Sequence, residues 1–415
     1  MLITFMENTV IANIRRSRAR LILLAGIVVF GMFLDGFDAD LFFFGGTFIL
    51  KIIHINGFLL GVAATGFAGG IAVFSFIGGY VFDKMSVKYG LITALILFSI
   101  FSALTGFVTN EYELVAFRFI TGFGVGMVQP LIYTFMGDLI PSSRGRFLAM
   151  PAVLFGLGLF VAPYVFNIFS SKTTFDVPFI ISGILGMILI ILTFSVMPKY
   201  YMAKQRPRKG FYRYLKMDLM LAVLSMFAWG IGYFAYNSYY SSFLVSIGLS
   251  ATQDTLVFSL FGIGLIISAI PGAFIGDKIS RKYALLLAAF LYVLSTGLMF
   301  LTHMTYIEAI IATLIFGLGY GIYGVNISAI VQEFVEVSWT GSATGFLLGI
   351  FNIGALLGGP LFGTVLGLTH SYFKSGEITI FIPMMALMIM LIIMKSPDYK
   401  SIDAEDERME LGENA

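Results

Sequence analysis

The sequence has no cysteine, two tryptophans and three histidines, and charged residues fill 12% of its 415 positions. Without cysteine there are no disulfides, no thiol nucleophile and no thiolate metal site. The histidines, at 54, 303 and 370, lie near the ends of apolar stretches without metal-ligand spacing, so neither a metal nor a cofactor is expected. So little charge cannot clothe a water-soluble domain of this length.

Apolar residues dominate instead, at 59% of the chain with a mean hydropathy of +0.95. Apolar windows of roughly 20 residues or more recur along its length, each enough to cross a hydrocarbon core of about 30 Å as a helix. Twelve are predicted, at approximately 21–47, 57–82, 91–109, 113–139, 144–169, 177–197, 218–247, 253–276, 283–302, 306–335, 340–368 and 376–394. The fold class is therefore an all-α membrane protein. Arg15, Arg16, Arg18 and Arg20 run into a window too long for a secretory signal, with no small-residue cleavage site after it, so the first helix is expected to remain in the mature protein.

Placing both termini in the cytoplasm puts 21 of the 25 Lys and Arg residues on that side, as the positive-inside rule requires. The expected location is the plasma membrane, crossed many times. A net charge of +2 reflects these anchors and gives no reason to invoke nucleic acid.

The sequence repeats itself. "DKMSVKYGL" (83–91) and "DKISRKYAL" (277–285) share six residues at an offset of 194, after the second and eighth windows. Gly122, Gly124, Gly126 and Asp138 are echoed by Gly317, Gly319, Gly321 and Glu333 at an offset of 195. Two pseudo-symmetric six-helix halves follow, 1–197 and 218–394, joined by a basic cytoplasmic linker at 198–217 and followed by an acidic, disordered tail at 395–415. Such parallel halves are the architecture in which a central site opens to either side in turn.

Over nearly its full length the chain resembles the major facilitator superfamily. Gly79, Asp83, Lys84 and Lys88 match that family's loop motif after the second helix, with Ser86 where glycine is expected; Asp277, Lys278, Arg281 and Lys282 match it again after the eighth. The resemblance implies that these groups, with Asp138, Arg144 and Glu333, brace helix ends and bias an inward/outward equilibrium. As charged caps alone they would only fix topology. "RFITGFGVG" (118–126) is similar to the family's fourth-helix motif, and fails as a nucleotide fingerprint because the glycine spacing is wrong and no strand precedes it. Its glycines, like Gly341, Gly345 and Gly349 four apart in the eleventh window, are expected to let helices approach closely.

The charged groups inside the membrane point to function, since each is costly there. Arg118 is either a clamp on an anionic substrate or the partner of an acid such as Asp35 or Asp38. The first window carries "FLDGFDADLFF" (33–43). Asp35 and Asp38 lie about 60° apart on one helix face, while Asp40 lies about 140° from Asp35. An ionised aspartate at the membrane centre costs about 2.5–3.5 kcal/mol, and protonation removes much of that, so Asp35 and Asp38 are the expected proton-coupling groups. Asp40, nearest the helix end, is expected to cap it or pair with a lysine.

"DGFD" (35–38) also resembles the first-helix signature of the aromatic acid:proton symporter branch, which implies an aromatic carboxylate as substrate. A stripe of Tyr233, Tyr236, Asn237 and Tyr240 offers ring faces with polar tips. Gln129, Asn326, Gln332 and Asn352 are further candidate contacts, although amides also glue helices together.

The expected protein is a secondary transporter, coupling an organic anion of aromatic or sugar type to protons by alternating access as a monomer in the bilayer. A proton-coupled exporter of drug-like or amphipathic compounds and a phosphate:proton symporter are the alternatives. The fifth window has Ala162-Pro163 where the exporters carry Gly-Pro followed by two glycines, and Tyr233 stands where the phosphate branch carries an acid. No nucleophile–base pair accompanies the acids, so an enzyme is not expected.

Overall fold

The computed structural model describes residues 18–54, 57–82, 86–139, 144–170, 174–198, 214–301, 304–335 and 339–396. At some helical positions, among them 75–82, 129–130, 132–139, 144–149 and 340–342, it describes the backbone alone. Its long helices are α1 (Arg18–Ile52), α2 (Gly57–Phe82), α3 (Val87–Thr105), α4 (Glu111–Leu139), α5 (Arg144–Phe169), α6 (Asp176–Val196), α7 (Met217–Ser246), α8 (Ala251–Lys278), α9 (Arg281–Phe300), α10 (Tyr306–Glu333), α11 (Thr340–Thr369) and α12 (Tyr372–Ile393, with a π turn over Glu377–Phe381). Among the described residues, ten are long and apolar enough to cross a membrane, and α2 adds an apolar run over Phe58–Phe74. A helix is what such a sequence must form in lipid, because every peptide group has to be satisfied within the segment.

Each predicted window corresponds to one of these helices. The third and twelfth begin earlier than hydropathy indicates, at Val87 and Tyr372, because Ser86 and Ser371 cap them by accepting the N–H groups of Tyr89 and Lys374. Lys88 and Lys374 in those first turns lower the apolar score, although their stems can run along a helix toward the polar boundary. Capping boxes start α8 (Ser250 with Gln253) and α10 (Thr305 with Glu308), each satisfying two otherwise orphaned donors.

The packing repeats with a shift of six helices. Within α1–α6 the main pairs are α1·α5, α2·α4, α3·α4 and α3·α6; within α7–α12 they are α7·α11, α8·α10, α9·α10 and α9·α12, with α7·α12 packed more extensively than its counterpart α1·α6. The halves meet through α5·α8, α2·α11 and α1·α7, and the first two of these exchange under the same shift. Glycines explain how closely the helices come. A Cβ at Gly122 would overlap the Phe67 carbonyl of α2, and one at Gly317 the Phe261 carbonyl of α8. The glycine echo in the sequence is thus a repeated helix crossing.

Gly345 and Gly349 require a correction: a Cβ at either would meet nothing within 4 Å. The close approach in α11 is made by Gly354 and Gly358, which lie against the Phe227 and Ile231 carbonyls of α7. Spacing of four aligns residues on one face but does not say which face meets a neighbour.

Lys88 Nζ donates to the Phe194 carbonyl in the last turn of α6 at 2.6 Å, and Lys282 Nζ to the Ile392 carbonyl in the last turn of α12 at 3.4 Å. Each places a cation at the negative end of a helix within its own half. Lys88→Ala and Lys282→Ala are each expected to cost about 0.3–1 kcal/mol, with the larger loss at Lys88, where the bond is shorter. Thermal unfolding of the detergent-solubilised variants checks this. A loss several times larger would mean that the lysines hold more than a helix end.

Candidate functional site

The acids of α1 divide between two faces. Asp38 points into the first half, where its Oδ2 accepts Arg118 Nη1 of α4 at 2.7 Å, and both side chains are fully buried. Ser102 of α3 donates a short hydrogen bond to Asp38 Oδ1, and Ser182 of α6 donates to the same oxygen at 3.4 Å. One carboxylate thereby ties together α1, α3, α4 and α6. The Arg118 guanidinium is sandwiched between the rings of Phe42 and Phe67, each centroid 4.6 Å away. Arg118 is thus paired with Asp38 in the folded protein. Its Nε and Nη2 groups have no hydrogen-bond partner among the described residues.

Asp35 sits one turn earlier on α1, buried, and lines a void of about 10 Å³ with Leu95 and Phe98 of α3 and Val125 and Val128 of α4. That is the lower limit of the space one water occupies. Asp40 lies within the helix rather than at its cap, and it meets no lysine among the described residues. It is fully buried, and neither carboxylate oxygen has a hydrogen-bond partner among the described residues. It faces the second half, in electrostatic range of Tyr233 and Tyr236 on α7.

The tyrosines expected on one stripe of α7 form part of a buried aromatic cluster in the second half. Tyr233 stacks on Trp229 at 5.1 Å and on Tyr320 at 5.3 Å, and Tyr236 stacks on Tyr240 at 4.4 Å. Tyr240 is fixed by a 2.6 Å hydrogen bond to Thr313 of α10. Asn237 and Asn352 each donate their amide to the carbonyl four residues back, at 2.9 and 2.8 Å, and their Oδ1 atoms are left without a partner among the described residues. Asn326 acts as glue, its Nδ2 bridging the Gly272 carbonyl of α8 and the Ile322 carbonyl of its own helix. Of Gln129 the structure describes the backbone alone, and Gln332 donates to Thr344 of α11 at 2.9 Å.

Sequence reasoning overlooked Asp254, in the first turn of α8. It is buried, and its Oδ2 accepts Ser241 Oγ at 2.7 Å while Oδ1 has no partner among the described residues. The signal was available, since an acid at the margin of an apolar window is open to the same question as the acids of α1. Ser102 and Ser182 gave no such signal, because a serine inside an apolar helix usually satisfies itself on its own backbone.

Beside Ser396, the last described residue, Arg281 joins Asp277 at 3.0 Å and makes a short ion pair with Glu333 at the end of α10. These three, with Lys282 and Gly276, line a cavity of about 320 Å³. Lys278 packs its ammonium over the Phe274 ring at 4.8 Å. The corresponding first-half residues are less fully described: Asp83 and Lys84 lie outside the described residues, and Gly79, Asp138 and Arg144 have backbone only.

A family model described as the Major Facilitator Superfamily matches residues 28–359 and again 248–409. The sialic acid transporter NanX of Escherichia coli (strain K12) is 24% identical over 384 residues, which cover 88% of this chain and 91% of that protein. The gentisate transporter of Corynebacterium glutamicum is 23% identical over 409 residues, 90% of this chain and 88% of that protein. The crystal structure of a D-xylose-proton symporter shares the fold with a TM-score of 0.75 at 16% identity, covering 90% of this chain and 96% of that one. The repeated six-helix packing and a family match over most of the sequence agree, and the chain belongs to the Major Facilitator Superfamily, a multi-pass membrane transporter and not an enzyme.

Proposed function

We propose that this chain is a proton-coupled symporter that carries an organic carboxylate, aromatic or sugar-like, inward across the plasma membrane by alternating access, with both termini cytoplasmic. The observation that carries this reading is Arg118: a buried guanidinium with one N–H group on Asp38 and Nε and Nη2 unpaired. A planar fork with spare donors suits a carboxylate, and an arriving anion would satisfy groups that are otherwise costly to bury. Asp38 keeps the fork oriented, and the acids of α1 supply titratable groups beside it. The aromatic surface of Tyr233 and Tyr236 suits the apolar body of the substrate, and the free Oδ1 atoms of Asn237 and Asn352 suit its hydroxyl groups.

The relatives support the same class, because sialic acid and gentisate are both carboxylic acids. In this reading the moving bodies are 1–197 and 218–394, hinged by the 198–217 linker. The charged set of Asp277, Lys278, Arg281, Lys282 and Glu333, with its first-half counterparts Gly79, Asp83, Lys84, Lys88, Asp138 and Arg144, holds the cytoplasmic ends in register.

The test is uptake into proteoliposomes under an imposed inward proton gradient, with labelled benzoate, gentisate, sialic acid, phosphate and a neutral sugar. One proton per carboxylate supports about tenfold accumulation for each pH unit of gradient, because each pH unit supplies about 1.4 kcal/mol. Wild type is expected to accumulate at least one carboxylate in this way, and Asp38→Asn, which leaves Arg118 without its counter-charge, none. Gradient-independent entry of the carboxylates, or accumulation of phosphate alone, would sink the reading.

A further inference from the structure

Asp38 and Asp40 are two residues apart on a helix, so their side chains leave it about 200° apart, on opposite faces. Asp38 has its counter-charge in Arg118 and two serine donors besides. Asp40 has none of these. Its face of α1 is the one that closes against the second half. Gly36, one turn before it, lies against the Phe155 carbonyl of α5. One turn after it, Phe43 meets Phe234 of α7 edge-on at 5.8 Å, and Phe44 meets Phe258 of α8 at 5.5 Å and Phe166 of α5 at 5.9 Å. Asp40 is therefore enclosed where α1, α5, α7 and α8 converge, beneath a lid of phenylalanine rings drawn from both halves.

The titratable groups that face Asp40 are Tyr233 and Tyr236 of α7, and among the described residues no lysine, arginine or histidine makes an ion pair or hydrogen bond with it. Tyr236 stands in electrostatic range of both Asp40 and Asp254, one acid from each half. An ionised carboxylate cannot be enclosed in such surroundings without a cation or hydrogen-bond donors, whereas a neutral carboxyl can. The rings that cover it come from both halves, so its enclosure belongs to the contact between them.

We propose that Asp40, rather than Asp38, carries the coupled proton, and that this end of the bundle can close over it only after the proton has been taken up. The inference rests on the symport reading for its coupling, but the chemistry of the site stands apart from the identity of the substrate. Asp38 then belongs to the anion side of the mechanism and Asp40 to the proton side, each on its own face of α1. When the cytoplasmic end opens, water reaching Asp40 from that side would take the proton inward, and the ionised acid left behind would favour reopening of the outer end. An outward-open transporter without the proton could not close over the ionised acid, which prevents a leak.

Infrared spectroscopy of the full-length protein in liposomes tests the assignment without needing the substrate, because a protonated carboxyl absorbs apart from a carboxylate. Wild type at neutral pH is expected to show a protonated-carboxyl band that Asp38→Asn retains and Asp40→Asn loses; Asp40→Glu should move the band and decides the matter if the asparagine variant does not fold. A band unaffected by either change at position 40, or none in wild type, overturns the proposal. In proteoliposomes loaded as above, with gentisate as the probe, the accumulation ratio of Asp40→Asn is expected to fall to that of a collapsed gradient. If wild type accumulates no carboxylate, the symport reading fails while the infrared result still locates the proton.

Discussion

Arg118→Ala is expected to abolish carboxylate uptake and to destabilise the protein by about 3–5 kcal/mol, the loss typical when one partner of a buried ion pair is removed. The reason lies with the residue left behind. Asp38 is fully buried among four helices, and with Arg118 gone only the hydroxyls of Ser102 and Ser182 remain to face its charge. Arg118→Lys keeps a cation but replaces a fork of five donors by a point charge, so it should recover part of the stability and little of the transport. The informative variant is the double change, Asp38→Asn with Arg118→Gln, which removes both charges and leaves amides able to bond each other. It should unfold closer to wild type than Arg118→Ala does, while still failing to accumulate substrate. Unfolding in graded detergent denaturant, with uptake measured on the same preparations, separates the two effects. If the double variant transports, Arg118 is structural and the anion is held elsewhere.

The fold was legible because a membrane imposes one rule on every segment. Twelve apolar windows could become only helices, and the repeated "DK.S.KY.L" and glycine triplets located the pseudo-symmetry before any packing was seen. The angular argument for α1 was also sound: the helix does turn Asp38 and Asp40 toward different neighbours. What could not be read was which face met which neighbour. In a soluble helix the polar side marks water, but α1 is apolar nearly all round, and its inner, lipid-facing and inter-half faces use the same residues. For the same reason the regular glycines Gly345 and Gly349 misled, while Gly354 and Gly358 carried the contact. Asp254 was passed over because an acid in the first turn of a helix has an ordinary explanation in the helix dipole, which its burial in the folded protein removes.

Two glycines with the same local role should give opposite kinds of failure when enlarged. Gly122 sits where α4 crosses α2 inside one half, and a Cβ there would overlap the Phe67 carbonyl. Gly61 sits where α2 meets α11 of the other half, and a Cβ there would come within 2.7 Å of the Gly359 carbonyl and of Tyr239 Oη. Gly122→Val cannot be accommodated by moving the halves, since both helices belong to one body, so its overpacking cost of about 1–3 kcal/mol or more falls on folding. Gly61→Val can be relieved by letting the halves separate, so the same cost falls on the closed state alone and shifts the open/closed equilibrium by about 5–150-fold. The chain has no cysteine, so Ser259→Cys, at the α5·α8 contact beside Tyr164, would provide a single thiol to report this. Its labelling by a membrane-impermeant maleimide should rise steeply in Gly61→Val and remain at the reference level in the folded fraction of Gly122→Val. A matching change at Gly359 should add little to the change at Gly61, because either alone already breaks the one contact they share. If Gly61→Val folds and the thiol stays protected, the α2·α11 contact does not hold this end shut, and the aromatic lid over Asp40 must do so by itself.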